Sequence, residues 1–269
     1  MCVRSYQADR PQGISFSDHY PIVQPILLQL ILPMSLQDIP QFLLLCREEE
    51  SITAFQEALT QQWPAHETEP KVQIRIVNQS LRDVPSTTPF DLIVSPANSY
   101  GLLDGAFDDA ITRKFCLPDH PYETLTRAAQ QVLYDRWRGF VPPGTCTLVP
   151  FPESLASNAW GCRWVALCPT MRMPDRVSWD REVVYECIWS LLGQVEGWNR
   201  GRATGRIERI LIPPLATGVG KVSPRRWATQ MVLALRHFVD ALERPAHWSK
   251  MDWLDAAEHH RDILPTWNL

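Results

Sequence analysis

Two glycine-containing loops carry the residues whose types and spacing could bind a charged ligand. The first follows the apolar run Leu92–Val94 and contains Gly101 and Gly105, and the second lies within Ile207–Val222. Glycine lets a backbone pass close to a ligand, and the N–H groups of such loops bind phosphate without lysine or arginine. The spacing therefore predicts one anionic ligand held between two loops.

A strand is predicted before each loop and a helix after it. Asp91 leads the first apolar run, and Ser95–Asn98 end it with polar side chains at the carboxyl end, where open α/β sheets bind ligands. Asp108 falls in the first turn of the next helix. Ser223 is the predicted N-cap of the helix after the second loop, and Pro224 its first residue.

These segments resemble the signature loops of the macro domain family. The family's first loop is approximately V-N-A-A-N followed by G-G-G-V-D-x-A-I, and its second is S-T-G-I-x-G. Here residues 94–98 are VSPAN, residues 104–111 are DGAFDDAI and residues 216–220 are ATGVG. The motifs occur in the family's order. The resemblance implies an α/β fold, a three-layer α/β/α sandwich with a mixed, mainly parallel central sheet.

The ligand that the resemblance implies is ADP-ribose, free or attached to a protein. Backbone N–H groups of Thr217–Gly220 and of the loop around Gly105 would bind the diphosphate, with Val219 as an apolar bridge above it. The Asn98 amide, which both donates and accepts, matches the position that binds the distal ribose. The motifs supply these further ligand-binding residues: Ser95, Ala97, Gly101, Asp104, Ala106, Gly218 and Gly220.

Asp108 matches the aspartate that orients or activates a water near the distal anomeric carbon in hydrolytic members of the family. A carboxylate that accepts a hydrogen bond from water can act as a general base. An aspartate in a first helical turn is also favoured by the helix dipole alone, so a structural role stays open. Asp91, at the start of its strand, is interpreted as structural.

The sequence departs from the family pattern at three places. Ser95 stands where the family has its first asparagine, Asp104 adds a negative charge to the glycine run, and Asn78–Ser80 replaces the Gly-Asp pair that recognises adenine. Three functions therefore remain: a module that binds ADP-ribose or a derivative, an ADP-ribosyl hydrolase or ADP-ribose phosphate phosphatase that uses Asp108, and a macro-type fold whose cleft is lost or serves another ligand.

Length and composition suit one large α/β domain. The chain has 269 residues, 45% of them hydrophobic, and a net charge of -4, which does not favour direct binding of nucleic acid. We expect an N-terminal extension over 1–40, the macro domain-like region over 41–243 and a C-terminal extension over 244–269. The oligomeric state stays open.

An intracellular location, cytoplasmic or nuclear, is expected. The chain has no secretory signal at its start, and the apolar stretch Ile22–Leu32 is too short to span a bilayer, so no membrane partner is expected. Cys46, Cys168 and Cys187 lie in apolar patterns and are predicted to be buried thiols. No His/Cys cluster has ligand spacing, so neither a metal nor a cofactor is predicted.

The remaining elements follow from apolar periodicity. Strands are predicted at Phe42–Cys46, Val72–Val77, Gly144–Phe151 and Trp164–Cys168. Ser51 is the predicted cap of the helix after the first strand. Pro64–Pro70 and Ser154–Gly161 are predicted to be a linker and a loop.

Overall fold

The computed structural model describes residue 36, residues 39–116 and residues 119–269. The predicted extension over 1–40, including Ile22–Leu32, therefore lies almost wholly outside the described residues. The strands are β1 (Gln41–Leu45), β2 (Ile74–Val77), β3 (Leu92–Ser95), β4 (Thr147–Pro150), β5 (Trp164–Leu167) and β6 (Arg209–Ile212). The helices are α1 (Glu49–Gln62), α2 (Ala65–Thr68), α3 (Ala106–Phe115), α4 (Thr124–Trp137), α5 (Glu153–Ala156), α6 (Val183–Asn199), α7 (Pro224–Glu243), α8 (Pro245–Trp248) and α9 (Trp253–Ile263). Short 3-10 helices span Leu81–Asp83 and Leu264–Asn268.

The strands form one mixed sheet in the order β2-β1-β6-β3-β5-β4. Every neighbouring pair is parallel except β5 and the edge strand β4, which are antiparallel. Because parallel strands point the same way, the carboxyl ends of the five mutually parallel strands meet along one edge of the sheet. The two glycine loops leave β3 and β6, which are neighbours in the sheet, so they emerge side by side at this edge.

Helices cover both faces of the sheet, which confirms the predicted three-layer arrangement. Alternate residues of each strand enter different apolar clusters, as the period of a strand requires. On β3, Leu92 and Val94 pack with α1, α6 and α7, whereas Ile93 packs with α3 and α4. Strands buried on both faces are nearly all apolar, which explains why their sequences show continuous apolar runs instead of a clean alternation.

Asp91 fixes β3 against β6. Its Oδ2 atom accepts hydrogen bonds from the backbone N–H groups of Glu208 and Arg209, each at 2.9 Å. Its own N–H group donates to the Arg209 carbonyl at 2.9 Å. Asp91 therefore has a structural role, as its position before the apolar run indicated.

Several local predictions were wrong. Ser51 does not cap α1, because the helix already begins at Glu49 with Glu48 at the N-cap, and Ser51 is buried inside it. The predicted linker Pro64–Pro70 contains α2, held by a 2.7 Å contact between His66 Nε2 and the Val72 carbonyl. The predicted loop Ser154–Gly161 begins inside α5. In each case a short helix or an early helix start depends on tertiary contacts that periodicity does not report.

The C-terminal segment packs on α7. The Arg226 guanidinium donates to the carbonyls of Thr266 and Trp267 at 3.1 and 2.6 Å, and Gln230 Nε2 donates to Thr266 Oγ1 at 2.9 Å. Among the described residues, we find no helix with the length and apolar character that a bilayer crossing requires.

Candidate functional site

A cavity of about 680 Å³ opens at the carboxyl edge of the sheet. Its volume lies within the usual range for sites that bind small molecules. Its walls come from the ends of β1, β2, β3, β5 and β6 and from the N-terminal turns of α1, α3 and α7. The residues that matter for the arguments below are Arg47, Gln79, Ser80, Arg82, Pro96, Gly105, Ala106, Asp108, Thr170, Met171, Ala216, Thr217, Gly218, Val219 and Gly220.

Four successive residues of the second loop, Thr217–Gly220, line this cavity. Among the hydrogen bonds of the described residues, none uses a backbone N–H group of Thr217–Gly220 as donor. The loop is closed instead by bonds that begin after it, from Val222 N–H to the Ala216 carbonyl at 3.1 Å and from Lys221 N–H to the Gly218 carbonyl at 3.3 Å. Successive unpaired N–H groups form a concave site for anions.

The helix behind the second loop adds to the positive potential. Ser223 caps α7, with its hydroxyl accepting from Arg226 N–H at 3.1 Å, and Pro224 is the first helical residue, both as predicted. No acidic residue lies in the first turn of α7. The partial positive charge of this helix N-terminus is therefore not offset by a carboxylate of its own first turn.

The glycines of the two loops fall into two kinds. Gly105 and Gly218 border the cavity, and a Cβ atom built on either would have no heavy atom within 4 Å. A Cβ atom on Gly220 would lie 2.5 Å from the Ala216 carbonyl oxygen, and one on Gly101 would lie 2.8 Å from Leu133 Cδ1. Gly220 is therefore required by its approach to a backbone oxygen, and Gly101 by its φ of 66°, which favours glycine, whereas Gly105 and Gly218 leave open space.

Two alanines in the cavity wall have a left-handed backbone. Ala106, at the start of α3, has a φ of 48°, and Ala216, at the start of the second loop, has a φ of 59°. Such conformations are uncommon outside glycine, and they cluster at functional sites where the surrounding structure holds them in place. The diluted glycine run of the first loop therefore still adopts a glycine-type turn at Ala106.

Asp108 is buried at the inner wall of the cavity. It lies in the first turn of α3, as predicted, and accepts a 2.6 Å hydrogen bond at Oδ1 from the hydroxyl of Ser95 at the end of β3. Burial raises the pKa of Asp108 to about 7, the Ser95 hydrogen bond opposes this rise, and the charge of Asp104 adds to it. The side chain is thus a carboxyl group that changes its protonation state near neutral pH.

Asn98 forms hydrogen bonds within its own loop. Its Oδ1 atom accepts from the N–H groups of Tyr100 and Leu102 at 3.0 and 3.3 Å, and its Nδ2 donates to the Leu102 carbonyl at 2.8 Å. Asn98 does not belong to the cavity lining in this arrangement. It shapes the turn that leads to Gly101.

The cavity therefore brings together part of the residue set that the sequence predicted. Thr217–Gly220, Gly105, Ala106 and Asp108 line it. Ser95 and Ala97 are buried behind the wall, and Gly101 packs against Leu133. Asp104 is exposed beside the cavity and is not among the lining residues.

Sequence reasoning missed the residues that follow β5. Thr170 and Met171 line the cavity although they belong to neither motif. The Thr170 N–H group donates to the Ala97 carbonyl at 3.0 Å, and the Ser99 N–H group donates to the Met171 carbonyl at 3.1 Å. The residues after β5 therefore continue alongside the residues after β3. The sequence did contain a signal for them. The strand Trp164–Cys168 was predicted, and the residues after a parallel strand lie at the edge of the sheet where ligands bind.

The end of the cavity near β2 has a different character. Gln79, Ser80 and Arg82 follow β2, and Arg47 follows β1. The Ser80 hydroxyl donates to the Asp83 carboxylate. This end offers side-chain donors and acceptors, whereas the second loop offers backbone donors.

Several solved structures are similar to this chain at low sequence identity. No family model matches the sequence. The chain is similar to the Oceanobacillus iheyensis macrodomain with ADP, at 17% identity over 56% of this chain and 73% of that chain, with a TM-score of 0.40. A mutant of that macrodomain with ADPR is similar at 16% identity over 56% and 74%, with a TM-score of 0.40. The same macrodomain with MES bound is similar at 17% identity over 66% and 87%, with a TM-score of 0.41. Macrodomains are the family whose loop motifs this sequence resembles.

Proposed function

We propose that this protein binds ADP-ribose, free or attached to a protein, in the cavity between the two glycine loops. The observation that carries the proposal is that Thr217–Gly220 line the cavity and that their four backbone N–H groups donate to none of the described residues. A diphosphate is the ligand group that best uses several converging backbone donors beside a helix N-terminus. The resemblance of both loops to the macro domain motifs supports the choice of ADP-ribose among diphosphates.

In the proposed complex the diphosphate lies on the second loop. The adenine and the distal ribose extend from it in opposite directions. The adenine is directed toward Gln79, whose amide has both donors and acceptors and can pair with an adenine edge. The distal ribose is directed toward Asp108 and the first loop. Open space at Gly218 leaves room for the diphosphate, and open space at Gly105 leaves room for the distal ribose.

Calorimetric titration of the purified protein with ADP-ribose, ADP and AMP tests this proposal. We expect ADP-ribose to bind with a Kd of about 10 μM or tighter, corresponding to about -7 kcal/mol, ADP to bind more weakly and AMP more weakly still. This order follows if the diphosphate and the distal ribose each add contacts. Equal affinities for the three ligands, or no binding, would contradict the proposal and favour a cleft that serves another ligand.

A second candidate function is hydrolysis at the same site, and Asp108 is the observation that favours it. A carboxyl group with a pKa of about 7 can accept a proton from water at neutral pH, as a general base requires. In the proposed step, the water oxygen forms a bond to the distal anomeric carbon while the bond from that carbon to the protein side chain or phosphate breaks. Asp108 takes one proton from the water and then releases it to solvent, and the leaving group takes a proton from solvent.

The hydrolase candidate is tested with an ADP-ribosylated protein as substrate and release of ADP-ribose as readout. We expect Asp108→Ala to reduce the rate by at least about a hundredfold, the usual minimum contribution of a general base, while ADP-ribose binding is kept. The rate of the unchanged protein should rise with pH through about 7, because Asp108 must be ionised to accept the proton. Turnover that survives Asp108→Ala with intact binding would show that another group activates the water.

A further inference from the structure

The carboxyl group of Asp108 has one oxygen fixed by the protein and one oxygen open to the cavity. Oδ1 accepts a 2.6 Å hydrogen bond from the Ser95 hydroxyl, whereas no described residue donates a hydrogen bond to Oδ2. Oδ2 is also not among the fully buried side-chain atoms of the described residues that lack a partner. Asp108 keeps 7% of its surface exposed and lines the cavity, so Oδ2 is the oxygen that a ligand there can contact.

The basic residues of α3 are engaged elsewhere. Arg113 forms an ion pair with Asp109 at 2.7 Å, and Lys114 Nζ donates to the Val84 carbonyl at 3.2 Å. The two carboxylates in the first turn of α3 also offset the partial positive charge of this helix N-terminus. The helix that carries Asp108 therefore supplies no free cation to attract a second negative charge.

The basic residues that line the cavity lie at its other end. Among the described lining residues they are Arg47, which follows β1, and Arg82, which follows β2. In the sheet β6 separates β1 from β3, after which the first loop and Asp108 follow. The charged neighbour that acts on Asp108 is Asp104, which adds to the rise of its pKa. The first-loop end of the cavity is therefore electronegative.

A phosphate on the distal ribose would lie beside this carboxylate. In the proposed complex the distal ribose is directed toward Asp108, and a phosphate monoester carries a charge of about -1.5 to -2 at pH 7. Like charges repel more strongly in a partly desolvated cavity than in water. A neutral substituent on the same anomeric carbon brings no such repulsion, and the ribose hydroxyls can donate to Oδ2.

We propose that Asp108, held in place by Ser95, is a specificity-determining residue that excludes a phosphate from the distal end of the ligand. The site takes ADP-ribose that is free or joined to a protein side chain through an uncharged link, and it rejects ADP-ribose phosphorylated on the distal anomeric hydroxyl. The inference rests on the proposed function, because it places ADP-ribose in this cavity. It also narrows the hydrolase candidate to the bond between ADP-ribose and a protein side chain.

Titration at pH 8 with ADP-ribose and with ADP-ribose phosphorylated on the distal anomeric hydroxyl tests the inference. Asp108, with a pKa of about 7, is mostly ionised at this pH. The quantity to compare is the ratio of the two Kd values within each protein. We expect the phosphorylated ligand to bind at least about tenfold more weakly than ADP-ribose to the unchanged protein. In Asp108→Asn, which keeps the shape and lacks the charge, the ratio should fall below about threefold.

Two further variants sharpen the test. Asp108→Ala also lacks the charge and should give the same low ratio as Asp108→Asn. Glu50→Gln is the matched control, because it removes a carboxylate from the same cavity lining but on α1, which follows β1. This control should keep the ratio of the unchanged protein.

Each contrary result has a distinct meaning. A ratio below about threefold in the unchanged protein, or release of inorganic phosphate from the phosphorylated ligand, overturns the inference and leaves ADP-ribose binding standing. A high ratio that persists in Asp108→Asn and Asp108→Ala also overturns it, because rejection of the phosphate would then not depend on this charge. So does an equal loss of discrimination in Glu50→Gln. Failure of the unchanged protein to bind ADP-ribose overturns the proposed function and the inference together.

Discussion

The two glycine loops are built alike, but the helices behind them carry different charges. Each loop follows a buried strand, contains one glycine that the local backbone requires and contains one that borders open space. The first turn of α3 contains Asp108 and Asp109, whereas the first turn of α7 contains no acidic residue. The second loop is therefore the more favourable place for phosphate, and the first loop suits a part of the ligand that lacks formal charge.

The two acidic residues of α3 are themselves unlike. Asp109 forms an ion pair with Arg113 at 2.7 Å, and a hydrogen bond from Arg113 is the main reason that the pKa of Asp109 is lowered. Asp108 has no cationic partner among its named contacts, and burial raises its pKa. One carboxylate thus stabilises the surface of the helix, while the other stays available in the cavity at a cost in stability.

The first prediction concerns the phosphate side, where the expected effect is largest. Gly218→Glu should weaken ADP-ribose binding by at least about a thousandfold, or roughly 4 kcal/mol, because a charged side chain would occupy the position of the diphosphate. The fold should be unaffected, since a Cβ atom at Gly218 meets nothing within 4 Å. Calorimetric titration and thermal unfolding of the variant provide the two readouts.

Gly193→Glu is the matched control. Gly193 lies exposed on α6, outside the cavity lining, and a Cβ atom there also meets nothing within 4 Å. The same charge added at this position should leave affinity unchanged. Equal affinities of Gly218→Glu and the unchanged protein would show that the second loop does not bind the ligand.

The second prediction concerns the free energy of unfolding, which falls as the pH rises because the buried Asp108 must ionise. The pKa of Asp108 is about 7 in the folded protein and 3.8 in its unperturbed form, so the folded state keeps a proton that the unfolded state has lost between these values. The contribution of Asp108 to the free energy of unfolding is greatest below about pH 4. It falls by about 1.4 kcal/mol per pH unit between about pH 4 and pH 7 and is constant at higher pH. The total change is on the order of 4 kcal/mol.

Asp108→Asn should remove this dependence. Denaturant unfolding at pH 8 should give the variant a free energy of unfolding on the order of 4 kcal/mol above that of the unchanged protein. At pH 4 the two proteins should have similar free energies of unfolding. The difference between the two proteins is the quantity to measure, because burial also raises the pKa of Glu186 to about 7 and this residue is present in both. Parallel pH profiles would show that Asp108 is already ionised in the folded protein near pH 4.

The third prediction separates the two glycines of the second loop. Gly220→Ala should lower the free energy of unfolding by about 2 kcal/mol, because its Cβ atom would lie 2.5 Å from a backbone oxygen that cannot easily move. Gly218→Ala should change it by less than about 0.5 kcal/mol. Denaturant unfolding of both variants tests the difference, and equal losses would show that the packing at Gly220 is not limiting.

The smallest expected effect concerns the cap of α7. Ser223→Ala should reduce the free energy of unfolding by about 1 kcal/mol, since the Arg226 N–H group loses its acceptor. Ser223→Asp should keep the cap while weakening ADP-ribose binding, because a carboxylate would then offset the helix charge beside the phosphate site. Chemical denaturation and titration distinguish these effects, and unchanged affinity in Ser223→Asp would argue against a role for this helix N-terminus in binding.

Local sequence was sufficient to predict the two strand–loop–helix units. Apolar runs such as Leu92–Val94 form strands because they are buried on both faces, and Ser223 followed by Pro224 is a strong local signal for a helix start. The order of these units also allowed the mainly parallel sheet to be predicted. The position of Asp108 in a first helical turn followed from the same local pattern.

Tertiary structure alone decided what each of these residues does in the cavity. Gly218 and Gly220 are the same residue type and lie two positions apart in the same loop. Ala216 and Val177 pack so closely against Gly220 that a Cβ atom does not fit there, whereas a Cβ atom at Gly218 would meet open space. The pKa of Asp108 depends on burial and on Ser95, thirteen residues away in sequence. Thr170 reaches the cavity because β5 lies beside β3 in the sheet. Burial and solvent exclusion are set by segments distant in sequence, so local patterns place the loops but do not specify the contents of the site.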